Sequence, residues 1–68
     1  MKYDVIISWS KDDAAYIANV PDLPGCLAHG PTRSAALVNV ESAADLWLKT
    51  ANEFGDPIPE PEGRLALA

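Results

Sequence analysis

Between Thr32 and Phe54 the chain has neither glycine nor proline, whereas Gly30 and Pro31 stand just before this stretch and Gly55 and Pro57 just after it. The punctuation confines one long element. Within it Ala36, Val40, Ala43, Trp47, Ala51 and Phe54 recur at spacings of three and four, which predicts an amphipathic helix over 33–54. Thr32 suits its N-cap, Gly55 a left-handed C′ position, and Pro57 forbids resumption. Glu41, Asp45, Lys49 and Glu53 fall on the opposite, solvent face, with Asp45 and Lys49 correctly ordered as an i,i+4 pair. Such a helix is roughly 33 Å long, enough to cover one face of a small sheet. The whole chain has 68 residues, so only a single domain, 1–68, can be built around it.

The residues before the helix supply the sheet. Over 2–9 Tyr3, Val5, Ile7 and Trp9 share one face at period two, and Lys2, Asp4, Ile6 and Ser8 share the other. Ser10, Lys11, Asp12 and Asp13 suit a hairpin connection to a second strand over 14–20. Pro21 and Pro24 remove ladder donors, and Pro24-Gly25 fits the centre of a type II turn, so the chain reverses into a third strand over 26–30. After the helix, three alternating prolines make 56–63 a stiff extended connector, and Arg64 to Ala68 offers a short fourth strand at about 64–67. The resulting fold class is α+β, ordered β-β-β-α-β. A right-handed crossover would set the fourth strand beside the first, in spatial order 3-2-1-4, half of a ribonuclease-H-like sheet with one helix on one face. The other face is left bare, carrying either the Tyr3, Val5, Ile7, Trp9 set or Ile6 with smaller residues.

Several function classes are disfavoured at this level. Five basic residues scattered singly against ten acidic ones give a net charge of −5, the opposite of a nucleic-acid footprint and suited to a basic partner. The one cysteine, Cys26, allows no internal disulfide, and the longest apolar runs, such as Ala35 to Val38, are far short of a membrane span. No signal-peptide h-region follows Lys2, so a cytoplasmic location is expected. A two-metal nuclease would need carboxylates converging on one end of adjacent strands, but Asp4 is the sole strand acid, and Asp12, Asp13 and Asp22 read as solvated turn residues. His29 has no acid-base or zinc partner set, and Cys26 has no basic neighbour to activate it. No catalytic, cofactor or metal residues are assigned.

The pattern Ser8-Trp9-Ser10, Asp12-Asp13, Val20-Pro21-Asp22-Leu23-Pro24-Gly25-Cys26, Gly30-x-Thr32, Glu41-Ser42-Ala43, Leu46-Trp47-Leu48 and Pro57-Ile58-Pro59-Glu60-Pro61 resembles the HicB family of antitoxins. The resemblance implies an antitoxin-like binding module of a type II toxin-antitoxin system. Such a module neutralises HicA, a small basic toxin that cleaves messenger RNA, by binding it directly. Longer family members add a C-terminal DNA-binding domain. Thirteen residues follow Gly55 here, so that repressor half is not expected of this chain. The chain departs from the family's habit at Pro31, before the capping threonine, and at Asp13-Ala14, where a glycine is common.

The surface expected to meet a partner comprises Trp9, a large anchor ending its strand, Leu23, an apolar knob between two prolines, and the acidic Asp12, Asp13, Asp22, Glu41 and Asp45. Free edges and a bare sheet face also predict self-association, as a dimer or tetramer. A solitary oligomer without a toxin, and more remotely a degenerate metal-dependent nuclease, are the alternative readings.

Overall fold

The computed structural model describes residues 2–60, and three strands precede one helix: β1 (Ile6–Ser10), β2 (Ala15–Asn19), β3 (Leu27–Gly30) and α1 (Arg33–Glu53). The strands form an antiparallel sheet in the order β1-β2-β3. The expected fourth strand, 64–67, and the end of the connector lie outside the described residues.

β1 begins later than its alternation predicts, and the register explains why. Ile6 stands opposite Asn19, so residues 2–5 would need residues 20–23 as partners. Those residues are folded into a turn instead: Leu23 N–H donates to the Val20 carbonyl at 3.0 Å, and Cys26 N–H to the Leu23 carbonyl at 2.9 Å. Gly25, at φ +79°, supplies the positive dihedral of the second turn, as the Pro24-Gly25 pair predicts. Tyr3 is nonetheless buried, and its hydroxyl donates to the Pro59 carbonyl, which ties the lead into β1 to the connector beyond the helix.

At the opposite end Ser10 pairs with Ala15 across a four-residue loop. Ser10 Oγ donates to the Asp13 carboxylate at 2.9 Å and accepts from the Asp13 N–H at 3.3 Å, which fixes the loop. Its last residue, Ala14, sits at φ +49°, a left-handed conformation that costs a non-glycine residue about 1–2 kcal/mol. Ala14→Gly removes this strain but widens the unfolded ensemble. The expected net gain is about 0.5–1 kcal/mol, read as a rise in Tm of roughly 3–6 °C. A fall in Tm would contradict the strain.

α1 is held at both ends. Thr32 accepts the Ala35 N–H at 3.0 Å as N-cap. After the C-cap, Phe54, the Asp56 N–H reaches the Ala51 carbonyl at 2.8 Å and the Gly55 N–H reaches the Asn52 carbonyl at 3.2 Å, a Schellman motif with Gly55 at φ +70°. This position puts Phe54 outside the helical stripe, where it is exposed rather than in the core. The buried helix residues are Ala36, Val40, Ala44 and Ala51, with Ala43, Trp47 and Leu48 packed beside them. Small alanines allow a close approach to the sheet. A Cβ on Gly30 would lie 2.8 Å from the Ala36 nitrogen and 2.9 Å from Ala35 atoms, so only glycine fits beneath the first helical turn.

The core joins Tyr3, Ala18, Val20, Leu23, Cys26, Ala36, Val40 and Ala44. Leu23, expected at the surface, has no exposed area. The paired turns fold it inward, and Trp47 Nε1 closes the helix over them by donating to the Pro24 carbonyl at 2.9 Å. Burial also pushes the Cys26 thiol up from its ordinary value, consistent with a packing role.

Candidate functional site

Which face of the sheet the helix covers follows from the register. Ile7, Ala18 and Ala28 form one cross-strand row, and Trp9, Tyr16 and Gly30 the next; both lie on the helix side with Val20. Ile6, Asn19 and Leu27, then Ser8, Ile17 and His29, occupy the open side. Of the two alternatives left by the alternation, the bare face is therefore the Ile6 one.

Trp9 occupies a position that neither alternative describes. It shares the helix side with the core, yet it is 56% exposed because α1 lies over β3 and β2 and barely touches β1. Its ring meets Tyr16 edge-on, with centroids 5.0 Å apart and planes at 68°, and the Arg33 guanidinium lies 5.1 Å from the Tyr16 ring centre. Trp9 is thus braced by an aromatic neighbour that is itself held by a cation–π contact. The loop immediately after β1 carries the exposed Asp12 and Asp13. The hairpin end of the sheet therefore presents an exposed aromatic ring, followed by a loop that carries Lys11 as well as the two carboxylates.

The remaining expected residues fall elsewhere. Glu41 and Asp45 line a concavity of about 430 Å³ with Lys2, Tyr3 and Leu48, on the helix flank near the start of β1. Asp22 lies in the turn at the far end of the sheet from the hairpin. Leu23 is in the core and presents nothing to a partner. The expected surface thus divides into the hairpin end, the helix flank and the turn. A further groove of about 490 Å³, which no sequence signal marked, runs between Gly25–Leu27 and the helix at Ala43, Leu46, Trp47 and Thr50. In its lining Leu46 is 65% exposed, beside Trp47, which is tethered to the Pro24 carbonyl. Among the described residues no three His, Cys, Asp or Glu side chains are grouped as a metal would need, and no helix is long and apolar enough to cross a membrane.

Comparison with known proteins gives this surface its context. The family described as the HicB-like antitoxin of bacterial toxin-antitoxin systems matches residues 3–66. The chain belongs to that HicB-like antitoxin family. It is 39% identical over 59 residues to the UPF0150 protein Ta0767 of Thermoplasma acidophilum, covering 87% of this chain and 84% of that one. It is 33% identical over 66 residues to the UPF0150 protein ssl0259 of Synechocystis, covering 97% and 89% respectively. An uncharacterized 14.9 kDa protein from the rep-hol intergenic region of Haemophilus phage HP1 is 32% identical over 60 residues, which are 88% of this chain but 44% of the phage protein. No solved structure matches. For a HicB-like antitoxin domain, an antitoxin-type role follows, and with it a toxin partner of some kind.

Proposed function

We propose that this chain neutralises a small basic HicA-type, messenger-RNA-cleaving toxin in the cytoplasm by direct binding, as a stoichiometric mask rather than as a catalyst. One observation carries the reading: Trp9, 56% exposed and braced by Tyr16, stands near the end of β1, just before the loop with the exposed Lys11, Asp12 and Asp13. A rigid tryptophan loses little entropy on binding, and the chain's net charge of −5 attracts a basic partner from a distance. The Glu41 and Asp45 flank adds to that field without touching the anchor. The Tyr3 to Pro59 hydrogen bond brings the connector back to the start of β1.

Trp9→Ala tests the site. Because Trp9 is mostly exposed, the variant keeps its fold by circular dichroism. Its affinity for a HicA-type toxin from the same organism, measured by titration calorimetry, falls by about 2 kcal/mol or more, at least roughly thirtyfold. Wild-type affinity weakens as salt rises. Undiminished binding by folded Trp9→Ala would remove the anchor from the account.

A further inference from the structure

We propose that the outer edge of β3 and the groove beside it form a docking site for an extended, basic peptide segment of another protein, which adds to the sheet as a short strand. Two independent features meet there. The first is the polarity of the edge. Val20 N–H donates to the Cys26 carbonyl at 3.0 Å, so the Cys26 backbone faces β2, and by alternation that of Ala28 and Gly30 does too. Leu27 and His29 therefore turn their N–H and C=O groups outward, and on that side the His29 carbonyl accepts from Asn39 Nδ2 at 2.8 Å. At the Leu27 end there is no such cap, and no further strand lies beyond β3, among the described residues. An edge of this kind is a template for a strand from another chain.

The second feature is the groove of about 490 Å³ between that end of β3 and the helix. A side chain of an added strand that points toward the helix enters it and meets Leu46, 65% exposed, and Trp47, whose ring is fixed by the 2.9 Å bond to the Pro24 carbonyl. Main-chain bonds to an edge and a pocket for one side chain are together the means by which sheets capture extended peptides. A helical segment does not suit this edge, because its main-chain groups are already bonded internally. Charge narrows the choice further. The only charged residue in the lining is Asp56, an exposed carboxylate just past the helix, in a chain of net charge −5. The groove thus selects an apolar residue with Lys or Arg two positions away, on the same face of the added strand. With only Leu27 and part of His29 to pair, the binding is weak. The site is also separate from Trp9, which lies on β1 at the opposite edge of the sheet, so the inference does not depend on the antitoxin reading.

Amide NMR spectra of the full chain, titrated into the millimolar range with the capped peptide acetyl-Arg-Thr-Leu-Thr-Val-amide, test the site. The two tryptophans serve as internal reporters: the Trp47 indole signal shifts together with the Leu27 and His29 amides, while the Trp9 indole signal stays in place. Leu46→Ser, at an exposed position, weakens binding about fivefold or more, while Val38→Ser, 60% exposed on the helix away from the groove, leaves it unchanged. Asp56→Asn removes the advantage of this peptide over one with Gln in place of Arg, an advantage of about threefold at low salt. The same peptide with every amide N-methylated has no donors for the edge and does not bind. Equal binding of the N-methylated peptide, a shift confined to the Trp9 indole, or no shift of either indole would overturn the proposal. A Trp47 shift produced merely by concentrating the free chain would assign the groove to a second copy and overturn it as well. The titration uses the wild-type chain, so it decides the matter even where a variant fails to fold.

Discussion

Leu23→Ala unfolds most readily of all single truncations in this chain, with an expected loss of about 3 kcal/mol. Leu23 is among the largest side chains with no exposed area, packed in the core with Val20, Cys26, Val40 and Ala44. Removing three carbons there leaves a cavity that two hydrogen-bonded turns cannot collapse to fill. A domain of this size is stabilised by only roughly 3–10 kcal/mol, so Tm falls by about 12–24 °C. Leu23→Met, which preserves volume, costs less than about 1.5 kcal/mol. Thermal melts followed by circular dichroism check both. A Leu23→Ala melt within about 3 °C of wild type would mean that the turn does not bury this residue. The same geometry decides how a binding defect at this position must be read: it reports loss of the fold.

Gly30→Ala has the second largest effect. One added methyl would stand 2.8 Å from the Ala36 nitrogen and 2.9 Å from the Ala35 carbonyl carbon, both parts of a helical backbone that cannot rotate away as a side chain would. The helix must lift from the sheet at its first turn, loosening Ala36 and Val40 behind it. Overpacking of this kind costs about 2–3 kcal/mol, or roughly 10–20 °C in Tm. The Arg33 contact with Tyr16 moves with that turn, so the brace behind Trp9 weakens as well. A Gly30→Ala variant as stable as wild type would show that the helix is seated farther from β3 than this close approach requires.

These two residues also mark where the sequence stops being legible. The helix and its caps follow from local chemistry alone, because Thr32, Gly55 and Pro57 act on their own neighbours. The three strands and their antiparallel order follow from alternation and turn residues, apart from the first four residues assigned to β1, which lack partners across the ladder. Leu23 misleads because a leucine between two prolines has the signature of an exposed turn, and only the helix packed above it, pinned by Trp47 to Pro24, makes it core. Gly30 reads as the end of a strand, and nothing local discloses that a helix backbone lies against it. Trp9 follows the same logic: alternation groups it with Tyr3, Val5 and Ile7 but leaves open which face the helix covers, and its exposure depends on where α1 crosses the sheet. Local signals thus recover the elements, while burial of the candidate site residues is decided by one helix axis.

The most direct test of the account is a stoichiometric titration of a HicA-type toxin from the same organism with this chain, following cleavage of labelled messenger RNA. Masking predicts that cleavage falls linearly with added chain and stops at a fixed molar ratio, because each bound copy occludes one RNA surface. Trp9→Ala shifts that end point to much higher concentration while the chain stays folded. Cleavage that continues unchanged in the presence of a large excess of wild-type chain would contradict direct neutralisation and leave the family membership without this mechanism.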